Sequence, residues 1–418
     1  MNISDNINIE VKHDTNIKIM GVGGGGCNAI NYLNEQGIKG VSLMVCNTDK
    51  MSLAKSKVPG KLQLGPGLGA GGRPETAQQF AEENRDRIRE ALNDGTQMLF
   101  IAAGMGGGTG TGASPIVAQV AKEMGILTVG VVTVPFAFEG SKKIEKAMIG
   151  VRQLAEQVDA IVVINNEKLC QIYPDWTWHN AFSKSDDVIS NAVRAVTEII
   201  TETGYINTDF TDVSVTLSNS GVAIIGIGKA SGENRVSNAI FEALHSPLIN
   251  TDIKGAKRLL IQIYSSDSEE HGLMMSEMEQ IHQFVQEVGE DVEVQWGTTI
   301  DNTLGENVRI TIIAAGYTME DITKVDSYYG ESVKSKKAQV QAPTTPEVEQ
   351  PQESSNEENE VPVETSDYED EEEVVIEFEM PNQPTPATPP PTSSTPKAPA
   401  QQTAQTSLFP GWMRGRNK

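Results

Sequence analysis

The sequence predicts an α/β protein: a parallel-sheet domain, a long central helix, a smaller α/β domain and a disordered acidic tail. Three observations predict it. Short apolar runs alternate with amphipathic stretches from Ile17 to about Asn166, the segment 186–203 carries one wide apolar face, and composition changes abruptly after Lys337. At 418 residues the chain is long enough for two packed domains, each burying its own core.

Residues 1–16 mix polar and charged side chains and read as a flexible leader to the first domain, expected over 17–185. Within it IKIMGV, VSLMVCN, MLFIAAG, ILTVGVVTV and AIVVINN are strand-like, with helical patterns between them. Such alternation implies right-handed βαβ units and a sheet covered on both faces. In 186–203, Val188, Ile189, Ala192, Val193, Val196, Ile199 and Ile200 share a face, with Asp186 or Asp187 as N-cap and Gly204 as the stop. This predicts a buried connecting helix, followed by a loop and helix over 204–220. GVAIIGIG, RLLIQIYS, VEVQWGTTI and RITIIAAG then predict four strands, and EMEQIHQFVQEVG a helix, in a second domain over 221–316.

Residues 317–406 read as a linker, acidic from 338, with fifteen acidic residues against one lysine between Ala338 and Thr406. So few apolar residues cannot offset the entropy of ordering the chain. As a flexible coil of about 70 residues it would span roughly 45–50 Å, which gives it reach. Its apolar interruption, Val374 to Met380, fits a short docking motif or an incidental cluster equally well.

The net charge of -24 argues against a nucleic-acid partner, because phosphate backbones recruit basic surfaces. Cys27, Cys46 and Cys170 have no metal or disulfide spacing, which fits a reducing cytoplasm, and the five histidines form no ligand pattern, so no protein-held metal is expected. The polar N-terminus and the lack of eighteen consecutive apolar residues predict neither signal peptide nor membrane insertion.

Two glycine clusters carry the chemistry. GVGGGGCNA follows a strand and opens a helix; Gly21, Gly23 and Gly26 satisfy GxGxxG, and Asp49 lies where a ribose-binding carboxylate would, so a Rossmann-like nicotinamide site is one reading. The second cluster, Gly104 to Gly112, again sits between strand and helix; its amides, the Thr109 and Thr111 hydroxyls and the helix N-terminus suit an anion. A dehydrogenase needs no such second loop, and the P-loop pattern GxxxxGK[ST] does not occur. Cys27 beside the first loop is either a thiol activated by the helix terminus or a small filler. Asp209 and Asp212, three residues apart after the long helix, fit helix capping by spacing alone, or two carboxylates orienting a water.

GGGTGTG closely resembles the signature of the tubulin/FtsZ superfamily. From Ile17 to Gly316 the order GVGGGGCNA, NTD, GLGAGG, AAGMGGGTGTGA, PFAFEG, NTDF and ASGENR is similar to that of bacterial FtsZ. The resemblance implies a Rossmann-like GTPase that polymerises head to tail into the cytoplasmic division ring at midcell, binding GTP and GDP with Mg²⁺ held mainly by phosphates and water. It implies that Gly24, Gly25 and Gly26, with Gly104, Gly106, Gly107, Gly108, Thr109, Gly110, Thr111 and Gly112, wrap the phosphates. Ala70, Gly71 and Gly72 would sense the terminal phosphate, Asn47, Thr48 and Asp49 would line the nucleotide, and Asn28 would touch ribose or base. Pro135 and Glu139 would meet the ribose, Lys143 the terminal phosphate, and Asn166, Phe182 and Asp187 the guanine. Asn207, Asp209 and Asp212 would insert into the next subunit's site. Lys143, Arg73 and Asp186 depart from the Arg, Asn and Asn usual in the family, and we expect Arg73 to compensate for a weaker phosphate grip by Lys143. The terminal segment Leu408 to Lys418, with Pro410, Trp412, Met413 and Arg414, is similar to the family's peptide that docks membrane-tethering and other division proteins.

Overall fold

The computed structural model describes residues 16–202, 204–245, 253–289 and 291–318. The expected leader up to residue 15, the acidic linker beyond Thr318 and the terminal peptide lie outside these residues.

In chain order the first half contains β1 (Ile17–Val22), α1 (Gly23–Glu35), β2 (Ser42–Asn47), α2 (Lys50–Lys55), β3 (Gly60–Gln63), α3 (Pro74–Glu83), α4 (Arg85–Leu92), β4 (Met98–Gly104), α5 (Thr109–Glu123), β5 (Leu127–Val134), α6 (Ser141–Ala155), β6 (Ala160–Asn165) and α7 (Asn166–Ile172). The second half contains α8 (Trp178–Thr201), α9 (Phe210–Leu217), β7 (Gly221–Ala230), α10 (Arg235–Leu244), β8 (Arg258–Ser265), α11 (Met275–Val288), β9 (Glu293–Ile300) and β10 (Val308–Tyr317).

One sheet of ten strands runs in the order β3-β2-β1-β4-β5-β6-β7-β10-β8-β9. Strands β1 to β6 pair in parallel. Their near-continuous apolar runs follow from burial on both faces. On β4, Leu99, Ile101 and Ala103 belong to one core layer with Val117 and Val120 of α5 and Val151 of α6, whereas Phe100 and Ala102 belong to the other with Ile30 of α1 and Val193 of α8. Each fully buried side chain of this size contributes roughly 1.5–3 kcal/mol, so both layers are needed to hold the sheet.

The sheet continues past residue 221. A short parallel seam, Ala160↔Gly221 and Ile161↔Val222, joins β6 to β7, and β10 then pairs antiparallel with both β7 and β8. The four strands and the helix expected beyond residue 220 are present as β7 to β10 and α11.

The central helix begins earlier than its apolar pattern indicated. α8 starts at Trp178, where the Thr177 hydroxyl accepts from the Asn180 amide at 3.3 Å, so neither Asp186 nor Asp187 is its N-cap. Ala181 and Phe182 of its first turns pack against the core, but exposed His179 and Asn180 precede them.

Candidate active site

Parallel strands deliver their following loops to one edge of a sheet, and the loops after β1, β4, β5 and β6 converge there on a cleft of about 490 Å³. Of the expected residues, Gly24, Gly25, Asn28, Gly104, Gly107, Gly108, Thr109, Gly110, Pro135, Glu139, Lys143, Asn166 and Phe182 line it. The two glycine loops touch backbone to backbone. Gly23, with φ +77, lies so close that a Cβ there would stand 2.6 Å from the Gly110 nitrogen. Open space faces Gly24 and Gly107, whose missing side chains leave room for a ligand.

Several expected residues sit one layer behind. A Cβ on Gly26 would meet the Ala102 oxygen at 2.1 Å, and one on Gly112 the Pro74 oxygen at 1.9 Å, so these glycines admit α1 against β4 and α3 against α5. The Thr111 hydroxyl accepts from the Gly106 amide at 2.8 Å and holds the turn. Thr48 hydrogen-bonds Thr109 at 2.7 Å, which couples the loop after β2 to the second glycine loop. Asn47 reaches the Cys27 sulfur at 3.8 Å. Ala70 packs on Gly108, and the Gly72 carbonyl accepts from Lys146 at 3.1 Å, whereas Gly71 faces open space.

Asp49 is turned away from the cleft. It caps α2, accepting from the Met51 amide at 2.8 Å and the Ser52 hydroxyl at 2.7 Å, so both oxygens are engaged and the ribose contact of the nicotinamide reading lacks its carboxylate. Cys27 is buried, and burial pushes its thiol up to about 11, so the filler reading holds. Lys143 reaches the cleft with its ammonium ion-paired to Glu139, whose other oxygen accepts from the Phe136 amide at 3.0 Å. Arg73 is exposed and does not line the cleft.

At the other end, Phe182 stands edge-on to Phe136 with centroids 5.0 Å apart, and Asn166 accepts from the buried Ser185 hydroxyl at 2.7 Å. Asp186, not Asp187, lines the cleft. Asp187 pairs with Lys184 and accepts from Asn191 at 3.2 Å, behind the wall. Both aspartates are interior to α8, where consecutive residues point about 100° apart, so the two do not face the cleft together. Burial pushes the Asp186 carboxyl up to about 7. Met105, inside the second glycine cluster, also lines the cleft, as do Thr133 and Ser185, which nothing in their local sequence marked.

Asn207, Asp209 and Asp212 are far from this cleft, at the opposite end of α8. The Asn207 side chain accepts from the Gly204 amide at 2.6 Å. Asp209 Oδ1 accepts from the amides of Thr211 and Asp212 at 2.7 and 3.0 Å, and Asp212 Oδ2 from the Asp209 amide at 3.0 Å: a reciprocal capping box for α9. The loop is fixed to the second half of the sheet through Thr208 to Gln262 at 2.9 Å and the Tyr205 amide to the Thr298 oxygen at 2.8 Å.

A model of the GTPase domain of the tubulin/FtsZ family matches residues 16–174, and one of the C-terminal domain of the FtsZ family matches 221–318. The chain belongs to the FtsZ family. Cell division protein FtsZ of Porphyromonas gingivalis is 45% identical over 310 residues, covering 73% of this chain and 67% of that protein. FtsZ of Aquifex aeolicus is 44% identical over 73% of this chain and 83% of its own. In structure, an FtsZ dimer of M. jannaschii is similar at a TM-score of 0.66 and 39% identity, over 72% of this chain and 88% of that one. As an FtsZ-family member the chain is a tubulin-like GTPase of cell division that binds GTP and GDP and associates with itself. Among the described residues no helix is long and apolar enough to cross a membrane.

Proposed function

We propose that the cleft binds GTP on one molecule and that hydrolysis there is completed by Asp209 and Asp212 of the next molecule in a head-to-tail filament, which builds the division ring at midcell. The length of α8 carries this reading. From Asp186, beside the cleft, to Thr201 there are roughly 15 residues, or about 23 Å of helix, and the carboxylates lie beyond that end. They cannot reach their own cleft.

Gly24, Gly107 and their neighbouring amides surround the phosphates, Thr109 adds a donor, and the N-terminus of α5 adds its positive end. Phe182 walls the base. Ionised Asp186 accepts from guanine N1–H and the exocyclic amine, and Asn166, with its carbonyl taken by Ser185, donates to O6. Adenine offers neither the N1–H donor nor the O6 acceptor. Mg²⁺ would be carried mainly on the phosphates and waters of the nucleotide. That ion neutralises phosphate charge when bound. The incoming carboxylates accept the hydrogens of a water, whose oxygen attacks the terminal phosphorus as the bond to the bridging oxygen breaks; the water's proton passes to a carboxylate. The terminal peptide Leu408 to Lys418 tethers the filament to division partners, and unchanged recruitment after its deletion would remove that part.

The test is GTP turnover per molecule against protein concentration, for wild type and Asp212→Ala. Wild-type turnover rises with concentration, and the variant binds GTP and assembles with turnover at least about tenfold lower. Full turnover by diluted wild-type monomer would sink the shared site.

A further inference from the structure

Three loops meet at the phosphate end of the cleft, and one of them is clipped to its neighbours from both sides. The glycine-rich loop 65–72 is tied at one end to the segment after β2, where the Lys50 amide donates to the Gly67 oxygen at 3.0 Å and the Gly69 amide to the Thr48 oxygen at 2.9 Å. Its middle packs on the second glycine loop so closely that a Cβ on Gly108 would stand 2.9 Å from the Ala70 Cβ and 3.1 Å from the Arg73 nitrogen. Its far end is caught by Lys146 of α6, whose ammonium donates to the Gly72 carbonyl at 3.1 Å. α6 is itself seated on the same turn, since a Cβ on Gly106 would stand 2.7 Å from the Lys143 oxygen. The Lys146 bond therefore forms a strap from α6 to loop 65–72 across the turn Gly106 to Gly108.

We propose that Lys146 is a positioning residue for the terminal phosphate of GTP. Gly71 and Gly72 have φ of +58 and +68 and open space beside them; the Arg73 amide closes their turn on the Ala70 oxygen at 3.0 Å, and Lys146 adds the side-chain bond that reaches it from α6. A hydrogen bond from a cation to the Gly72 oxygen fixes that peptide plane and places its positive charge beside the loop. Ala70, seated on Gly108, then keeps the loop over the turn where the cleft opens. Lys143, one helical turn earlier, cannot do this, because Glu139 holds its ammonium. The inference rests on the GTP reading of the cleft and assigns to one exposed lysine the task of holding the loop in register with the last phosphate.

The test compares affinities for GDP and a non-hydrolysable GTP analogue by calorimetry, on full-length protein dilute enough to sediment as monomer. Lys146→Ala is expected to weaken the analogue about fivefold while changing GDP affinity less than twofold, because GDP lacks the phosphate concerned. Lys146→Arg restores wild-type affinity within about twofold, since it keeps a cationic donor. Lys142→Ala removes the same charge from the same helix without touching Gly72 and leaves both affinities unchanged. The proposal is overturned by equal losses for both nucleotides, by no loss for either, or by a Lys142→Ala effect as large as that of Lys146→Ala. If wild type bound neither nucleotide, the GTP reading itself would fail instead.

Discussion

If Asp186 reads guanine as proposed, its carboxyl should make nucleotide affinity a function of pH near neutrality. Burial pushes its pKa up to about 7 in the empty cleft, so the group is half protonated there at neutral pH. Guanine requires the ionised form, since a protonated carboxyl cannot accept from both N1–H and the exocyclic amine. If only the ionised form binds, affinity falls below its limit by a factor of about 2 at pH 7 and about 11 at pH 6, so the step from pH 8 to pH 6 costs about tenfold, or about 1.4 kcal/mol. Stability of the empty protein moves the other way. A carboxyl whose folded pKa is raised above its unfolded value favours the fold in its protonated form, so that contribution is lost as pH rises through 7, by about 1.4 kcal/mol between pH 6 and 8. The assay is GDP binding by calorimetry from pH 6 to 8, beside chemical denaturation of the nucleotide-free chain. Asp186→Asn removes both dependences. It titrates the same nucleotide phosphates, so the difference between the proteins isolates the side chain. A wild-type affinity slope no steeper than that of Asp186→Asn would refute the reasoning.

Two further perturbations follow from the packing. Gly107→Ala adds a methyl where nothing lies within 4 Å, whereas Gly112→Ala drives one to 1.9 Å from the Pro74 oxygen. The first should keep the wild-type melting temperature and lose nucleotide affinity about tenfold or more. The second should destabilise the fold by roughly 1–3 kcal/mol, as overpacking does, and thermal melting with nucleotide titration separates them. Arg309→Ala should cost about 3 kcal/mol in urea denaturation, because the guanidinium bonds Glu198 of α8 at 2.7 Å and lies 3.8 Å over the Tyr264 ring; a loss under about 0.5 kcal/mol would show that this link between helix and sheet is idle.

Where the chain is buried on both sides, the fold could be read from composition. β1, β4 and β6 are apolar runs because each faces two layers of helices, and the glycines that close β1 and β4 mark the cleft. β3 escaped that reading. It is four residues long, lies at the sheet edge and buries only Leu62, so its sequence GKLQ carries no pattern. The start of α8 escaped for another reason: Thr177 is an ordinary cap signal, but the polar run Ser183 to Asp187 separates Ala181 and Phe182 from the apolar face that begins at Val188. The resemblance puts Asp187 at the base, a reading independent of helix phase, whereas it is Asp186 that lines the cleft. Thr133 and Ser185 reach the cleft through the ends of β5 and α8, a proximity created by the sheet and not by spacing along the chain.

Capping and catalysis, which spacing alone set against each other for Asp209 and Asp212, use different atoms. The capping box occupies Asp209 Oδ1 and Asp212 Oδ2. Asp209 Oδ2 and Asp212 Oδ1 take no part in it. Each carboxylate is thus gripped by backbone amides through one oxygen and presents the other from the exposed start of α9. An aspartate free to rotate would lose side-chain entropy on meeting a water and a phosphate, whereas one already fixed by its helix loses little. The amides also offset part of the repulsion between two carboxylates three residues apart, since each anion is hydrogen-bonded before the other is counted. In the proposed shared site the cap would hold the pair ready, and its anchoring through Thr208 and Tyr205 to β8 and β9 would make the second half of the sheet the rigid arm that carries it to the neighbouring cleft.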